Sequence, residues 1–221
     1  MWRSALALVL GVAASSASAA PYLALGDSYT IGEGVAAPER WPNQLAVMLH
    51  KNGVDVGEPE IVAKTGWTTD ELSAAMDAHT FSPPYRLVTL LIGVNNQYRG
   101  RDLDNYRVEF KKLLERAIDL AGKDPTKVVV VSIPDWGVTR FGQGSGRDTA
   151  EIARQLDAYN AANAQIAKML HCGYVDVTTV SRQVGNQAAM LVSDGLHPSP
   201  KMYTAWSERI LPVAKAALSQ H

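Results

Sequence analysis

The sequence predicts a three-layer α/β/α domain, and three observations support this interpretation. Short, continuously apolar segments alternate with longer amphipathic segments along most of the chain. Continuous apolar runs are typical of strands in a parallel sheet that is covered on both faces. Alternating strands and helices form right-handed crossovers, which place helices against both faces of such a sheet. No repeat or interdomain linker interrupts the pattern, so residues 20–221 are expected to form a single domain.

Five segments are predicted to be buried strands. They are short, mostly apolar and rich in branched side chains, which favours a strand over a helix. In chain order these segments are Tyr22–Leu25, Glu60–Ala63, Leu87–Ile92, Lys127–Ile133 and Tyr174–Val177.

Amphipathic segments between and after the strands predict five helices. The first begins near Trp41, with Pro42 at its start and Gly53 beyond its end, where these residue types are favoured. Thr68 and Glu71 form a capping box at the start of the second helix. The remaining three are residues 103–117, residues 150–170 and the segment that opens at Ser199-Pro200.

Two connections, residues 134–149 and 178–198, are longer than is usual in a compact domain. Such long connections are commonly either functional or disordered. The glycine-rich segment from Gly142 to Gly146 is expected to be mobile.

Residues 1–19 are predicted to be an export signal. Arg3 precedes a short Ala/Leu/Val run, and Ala17-Ser18-Ala19 fits a cleavage site of small residues. The apolar run from Ala5 to Ala14 is well short of the roughly 20 residues that a membrane-spanning helix needs. The protein is therefore expected in a periplasm or outside the cell, without a stable membrane anchor.

Composition argues against several classes of partner. The formal charge of −1 gives no electrostatic footprint for nucleic acid. Cys172 is the only cysteine, so no internal disulfide is expected, and no His/Cys/Asp group has metal-ligand spacing. The run Gly32–Ala37 loosely matches a dinucleotide fingerprint, but Pro38 follows and the helix starts only near Trp41. No metal or cofactor is expected.

Four polar motifs lie at or beyond the ends of predicted strands. Because the carboxyl ends of parallel strands meet at one edge of the sheet, residues far apart in sequence are expected to converge there. The motifs are Gly26-Asp27-Ser28 after the first strand, Thr65-Gly66-Trp67 after the second, Gly93–Asn96 after the third and Asp194–His197 beyond the fifth.

These motifs resemble the four blocks of the SGNH hydrolases, also called the GDSL esterase and lipase family. The family is named for a serine, a glycine, an asparagine and a histidine, which match Ser28, Gly66, Asn95 and His197 in the same order. The resemblance implies a flavodoxin-like sheet of five parallel strands in the order 2-1-3-4-5. It also implies hydrolysis of carboxylic esters without metal or cofactor.

The resemblance implies a role for each matched residue. Ser28 would attack an acyl carbonyl, His197 would accept its proton, and Asp194 would orient the imidazole and stabilise its charged form. The backbone N–H groups of Ser28 and Gly66 and the side-chain amide of Asn95 would form the oxyanion hole.

Two positions depart from the family pattern. Asn96 stands where the third block commonly has aspartate, and Tyr29 stands where the GDSL name has leucine. Neither change touches a proposed catalytic atom, so both are expected to bear on substrate preference. Asp27 is expected to be structural, forming hydrogen bonds within the turn around Ser28.

The candidate substrate-binding residues are Tyr29, Trp67, Tyr98 and Trp136. The expected substrate is a small-molecule acyl ester of a lipid, a glycan or a small alcohol. Two other functions stay open. The acyl-enzyme could pass its acyl group to an alcohol instead of water, or the domain could be an inactive module that binds cell-envelope glycans on exposed Trp67, Tyr98 and Trp136.

Overall fold

The computed structural model describes residues 21–219 and contains a parallel sheet with helices against both faces. The strands pair in the order β2-β1-β3-β4-β5, and every neighbouring pair is parallel. This confirms the predicted fold class and strand order. The strands are β1 (Tyr22–Gly26), β2 (Glu60–Ala63), β3 (Leu87–Leu91), β4 (Val128–Val131) and β5 (Gly173–Val175).

The five predicted helices are present, together with four short ones that the sequence analysis did not predict. A helix of one or two turns shows no clear 3.6-residue period, which is why these four were missed. The long helices are α2 (Trp41–Lys51), α3 (Thr69–Ala78), α5 (Leu103–Leu120), α7 (Thr149–Met169) and α9 (Pro200–Ser219). The short ones are α1 (Ser28–Ile31), α4 (Val94–Tyr98), α6 (Arg140–Gly144) and α8 (Thr178–Val184).

The long helices form two groups, one for each face of the sheet. Helices α2 and α9 pack against each other, and α9 covers β3, β4 and β5. Helices α3, α5 and α7 form the second group and contact β2, β3, β4 and β5. Every residue of β1, β3 and β4 is buried, as expected for strands covered on both faces.

Gly26 allows the chain to turn sharply at the end of β1. A Cβ atom at this position would overlap the Thr30 hydroxyl in α1 and the Leu91 carbonyl in β3. Glycine therefore lets α1 fold back against the sheet, and Ser28 becomes the first residue of that helix.

The connection between β4 and α7 is more ordered than the glycine-rich sequence suggested. Residues Trp136–Val138 form a 3₁₀ turn, and α6 occupies part of the segment that was expected to be mobile. The Thr139 hydroxyl caps α6 by accepting a hydrogen bond from Gly142 N at 3.1 Å. Gly142 is buried, so this glycine lies at a packing contact rather than at an exposed tip.

No helix among residues 21–219 is long and apolar enough to cross a membrane. The predicted export signal, residues 1–19, lies outside the described residues. The prediction of a single domain over residues 20–221 stays a prediction.

Asn160 of α7 secures the chain where it leaves β4. Its Oδ1 accepts a hydrogen bond from Ile133 N at 2.8 Å, and its Nδ2 donates to Ile133 O at 2.9 Å. The same Nδ2 also donates to the Thr178 hydroxyl at 3.0 Å. One buried amide therefore pairs both backbone groups of Ile133.

Replacing this amide is expected to destabilise the fold. Asn160→Ala leaves a buried N–H without its partner, which should lower the free energy of unfolding by about 1 to 3 kcal/mol. Urea denaturation followed by circular dichroism measures the change. Gln165→Ala, at an exposed position of the same helix, is the control and should change stability little; equal losses in the two variants would contradict the assigned role of Asn160.

Candidate active site

Ser28 lies at the carboxyl edge of the sheet, held by a tight turn. The Asp27 side chain caps α1 by accepting a hydrogen bond from Tyr29 N at 3.0 Å. The Asp27 carbonyl accepts from Thr30 N and Ile31 N at 3.0 and 2.9 Å. Ser28 is 5% exposed, so its hydroxyl is presented within a largely closed surface.

Asp27 is fully buried beside Ser28. Burial raises the pKa of Asp27 to about 7, although backbone hydrogen bonds, including the one from Tyr29, partly oppose that rise. A buried carboxyl group keeps its proton more readily because the charged form has lost its hydration. The geometry agrees with the structural role that the sequence analysis expected of Asp27.

Asp194 and His197 occupy one short loop. Asp194 Oδ1 accepts hydrogen bonds from Leu196 N at 2.7 Å and from His197 N at 2.9 Å. Asp194 Oδ2 lies 2.6 Å from His197 Nδ1. The Asp-x-x-His spacing therefore places the carboxylate against the imidazole, and it leaves Nε2 free to act as a base when Nδ1 carries the proton.

The Asp194 carboxylate stays ionised in this arrangement. Partial burial alone would raise the pKa of Asp194, but the hydrogen bonds from His197 and from two backbone N–H groups outweigh it and hold the pKa below its usual range. A carboxylate in this position could stabilise positive charge on the neighbouring imidazole.

Gly66 lies in the turn that follows β2. Trp67 N donates to Lys64 O at 3.2 Å, and Gly66 has a φ of +88°. This left-handed conformation at the third turn position is typical of a type II turn and favours glycine. In the part of the chain that the structure describes, the backbone N–H groups of Ser28 and Gly66 donate no hydrogen bond, so both remain available to a ligand.

The two neighbouring asparagines of α4 have different environments. Asn95 Nδ2 donates to Trp67 O at 2.9 Å, which uses one of the two amide hydrogens and leaves the other. Asn96 is completely buried. Its Oδ1 accepts from Thr69 N at 3.1 Å and its Nδ2 donates to the Thr69 hydroxyl at 2.7 Å, so Asn96 joins α4 to the start of α3.

The four residues that match the family blocks line a single cavity of about 240 Å³. They come from four separate segments of the chain, as the sequence analysis predicted. Within the described residues, Ser28 and His197 both line the cavity but no hydrogen bond joins the Ser28 hydroxyl to His197. Hydrogen bonds between a nucleophile and its base often form fully only when substrate binds. The cavity is lined by Ser28, Tyr29, Thr65, Gly66, Val94, Asn95, Tyr98, Trp136, Phe141, Leu196 and His197.

The predicted substrate-binding residues differ in where they lie. Tyr98 lines the cavity and is 41% exposed. Trp136 also lines it but is only 2% exposed, and its Nε1 donates to Gln97 Oε1 at 2.9 Å. The expectation of an exposed Trp136 was therefore wrong, because tertiary packing makes this ring a wall of the cavity. Trp67 packs against the core and does not line the cavity.

Tyr29 lines the cavity from a buried position. It is 3% exposed, and its ring lies edge-on to the His197 ring with the centroids 5.9 Å apart. The same ring also lies edge-on to the Trp206 ring of α9, with the centroids 5.9 Å apart. Tyr29 therefore links the imidazole to the hydrophobic core as well as bounding the cavity.

Three apolar lining residues were missed by the sequence analysis: Val94, Phe141 and Leu196. Val94 directly precedes Asn95, and Leu196 directly precedes His197, so their places next to matched residues were a usable signal. Phe141 had no comparable signal, because it reaches the cavity through α6, which was not predicted.

Other reactive side chains of the described chain lie outside this cavity. His50 pairs with Asp55 at 3.3 Å and His79 pairs with Glu60 at 2.6 Å, but neither pair lines the cavity with Ser28. Burial raises the pKa of the Cys172 thiol to about 12, so the reactive thiolate is scarce at neutral pH. Within residues 21–219, no three His, Cys, Asp or Glu side chains are grouped as metal ligands.

Solved structures share this fold at low sequence identity. TesA superposes with a TM-score of 0.70 at 20% identity, covering 90% of this chain and 99% of TesA. The psychrotrophic esterase EstA from Pseudoalteromonas sp. gives a TM-score of 0.65 at 16% identity, with 90% of this chain and 99% of EstA covered. A lipase/acylhydrolase from Enterococcus faecalis gives a TM-score of 0.65 at 17% identity, with 90% of this chain and 95% of that protein covered.

Sequence comparison identifies the family more directly than these superpositions do. No curated protein matches the chain. The model of the GDSL-like lipase/acylhydrolase family matches residues 24–205, which include all four motifs. Because the match covers most of the sequence, the chain belongs to the GDSL-like lipase/acylhydrolase family.

Proposed function

We propose that the protein is an exported serine esterase that hydrolyses small-molecule carboxylic esters through an acyl-Ser28 intermediate. The observation that carries this proposal is the meeting of Ser28, Gly66, Asn95 and His197 in one cavity. The Asp194 carboxylate, whose Oδ2 lies 2.6 Å from His197 Nδ1, is proposed to orient the imidazole. Membership of the family supports ester hydrolysis as the reaction class.

The first half of the reaction acylates Ser28. His197 Nε2 accepts the hydroxyl proton while Ser28 Oγ forms a bond to the acyl carbon of the ester. The carbonyl oxygen becomes an oxyanion, and Asp194 stabilises the imidazolium that results. The tetrahedral intermediate then expels the alkoxide, which takes the proton from His197 and leaves as the alcohol.

The second half releases the acid. Water enters the cavity, His197 removes one of its protons, and the water oxygen attacks the acyl-Ser28 carbonyl. Collapse of this second intermediate breaks the bond to Ser28 Oγ, which recovers its proton from His197. The products are a carboxylic acid and an alcohol, and the enzyme returns to its starting protonation state.

Three donors are proposed to stabilise the oxyanion in both halves. They are the backbone N–H groups of Ser28 and Gly66, which have no other partner in the described chain, and the Asn95 amide. Donors fixed before the reaction stabilise developing charge without having to reorganise, which is the main source of their effect on rate.

The cavity walls favour an apolar group near the reacting carbonyl. Val94, Phe141 and Leu196 supply aliphatic and aromatic surface, and Trp136 adds a buried indole. One structure of the esterase EstA contains the enzyme inhibited by monoethylphosphonate. Phosphonates are therefore suitable probes of Ser28. An inactive glycan-binding module fits less well, because Trp136 is buried rather than exposed as a stacking platform.

Export is proposed from the predicted signal in residues 1–19. Mass spectrometry of the exported fraction tests it, since a mature N-terminus at Ala20 is expected. A cytoplasmic protein that retains residues 1–19 would contradict export without affecting the esterase proposal.

Ser28→Ala is expected to abolish ester turnover and labelling by a fluorophosphonate probe. The substitution removes the nucleophile but only a small hydroxyl from the turn, so thermal stability should change little. Hydrolysis of chromogenic esters and differential scanning calorimetry measure the two properties. Near-normal turnover in folded Ser28→Ala protein would remove the catalytic assignment.

Asn95→Ala is expected to lower kcat by about 10² to 10³, with a much smaller change in KM, because the amide acts on charge that develops in the transition state. Asn96→Ala is the adjacent comparison. That variant should lose stability through its broken bonds to Thr69 while keeping a higher kcat in the folded protein. The reverse pattern of kcat values would show that Asn96 is the oxyanion donor.

Activity is expected to fall as the pH is lowered, because protonated His197 cannot accept the serine proton. The hydrogen bonds from His197 and from two backbone N–H groups hold the pKa of Asp194 below its usual range, which favours its ionised form. Asp27, with a pKa of about 7, also gains its proton on acidification and must be separated from His197. Asp27→Asn keeps an acceptor for Tyr29 N, and its pH–rate profile should retain the acid limb.

If Asp27→Asn no longer lost activity at low pH, the fall in rate on acidification would be due to Asp27 instead of His197. Circular dichroism at each pH is the control, since only rates measured on folded protein report on the titration.

A further inference from the structure

The Gly66 turn presents a positioning problem. The Gly66 N–H can stabilise an oxyanion only while its peptide keeps one orientation, and glycine is the residue least restricted in φ and ψ. Neighbouring side chains must therefore restrict this turn.

Arg99 binds the turn directly from the end of α4. Its Nη2 donates to the Gly66 carbonyl at 2.6 Å. Its Nη1 donates to Glu71 Oε1 at 3.2 Å. The planar guanidinium thus joins Gly66 to the first turn of α3 with two donors in fixed geometry, which a lysine cannot reproduce.

Glu71 is itself held in place. Its Oε2 accepts hydrogen bonds from Thr68 N at 2.8 Å and from the Thr68 hydroxyl at 3.0 Å, which completes the capping box of α3. One carboxylate oxygen therefore caps the helix and the other anchors Arg99. The guanidinium has a defined position even though the Arg99 side chain is 42% exposed.

Asn95 and Arg99 hold consecutive carbonyl groups of the same turn. Asn95 Nδ2 donates to Trp67 O at 2.9 Å, and Arg99 donates to Gly66 O. Asn95 lies four residues before Arg99, so both side chains project from neighbouring positions around α4. Gly66 and Asn95 are two of the three proposed oxyanion donors. These two bonds fix their positions relative to each other.

We propose that Arg99 is a positioning residue for the oxyanion hole: by holding the carbonyl of the peptide that follows Gly66, it limits rotation about the backbone bonds of Gly66 and so restricts the directions in which the Gly66 N–H can point. This inference rests on the proposed esterase function. The Arg99–Glu71 pair is partly exposed, and such pairs contribute little to global stability. Loss of Arg99 should therefore affect the rate of catalysis much more than the free energy of unfolding.

Arg101 offers a matched control for Arg99. Its Nη1 lies 2.5 Å from Asp70 Oδ1, so it also ties the segment after α4 to the first turn of α3. Its side chain is 31% exposed. Unlike Arg99, the Arg101 side chain makes no hydrogen bond to Gly66.

The test compares Arg99→Ala, Arg99→Lys and Arg101→Ala in the full mature chain. Arg99→Ala should lower kcat by about ten- to a hundredfold, since small misplacement of a catalytic group has effects of this size, while KM changes little. Arg99→Lys should recover part of kcat, because one donor can still reach Gly66. Arg101→Ala should retain kcat within about twofold, and thermal midpoints should be similar among the three.

The rate of Ser28 labelling by a fluorophosphonate gives a second measurement that does not depend on choosing the right ester. It should fall in Arg99→Ala and not in Arg101→Ala. Unchanged kcat and labelling in Arg99→Ala, or equal losses in Arg101→Ala, would overturn the role of Arg99 alone. A folded wild-type protein that neither hydrolyses esters nor labels at Ser28 would overturn the proposed function and this inference with it.

Discussion

The register of the three strands β2, β1 and β3 is the constraint on which the site depends. Gly26, the last residue of β1, pairs with Ala63 of β2 and with Leu91 of β3. Three strands therefore end at the same level, and the segments that follow them start side by side. A shift by one residue would turn each side chain toward the opposite covered face, where it does not fit the packing, and would also separate Ser28 from its proposed oxyanion donors.

Much of the proposed chemistry is carried by the backbone, so the turns matter as much as the side chains. Two of the three proposed oxyanion donors are main-chain N–H groups, which lie in turns shaped by the Asp27 cap and by the positive φ of Gly66. The Asp27 cap has a cost, since a fully buried carboxyl group with a raised pKa destabilises the fold when it is charged. The same carboxyl group fixes the turn that presents Ser28.

The sequence predicted those features that depend on local pattern and on strand order. The five strands followed from apolar runs, and the pairing of Asp194 with His197 was implied by the resemblance to the family. The burial of Trp136 and the entry of Phe141 into the cavity could not be predicted, because both depend on contacts with distant segments. Trp136 contacts Gln97 and Tyr98, and Phe141 N donates to Gly195 O. Asn96 follows the proposed oxyanion donor Asn95 by one position. Its hydrogen bonds to Thr69 give it a structural role, which joins α4 to α3.

The proposed nucleophile and base are positioned by different means. Ser28 is fixed by the sheet, whereas His197 belongs to a loop closed by its own hydrogen bonds, including Val192 N to His197 O at 2.9 Å. Among the contacts that connect that loop to its surroundings are the edge-on packing of Tyr29 against His197 and the 3.0 Å bond from Phe141 N to Gly195 O. The distance between Ser28 and His197 is therefore set by packing between two separately stabilised units. Substitutions at Tyr29 or in α6 can change it without breaking either unit.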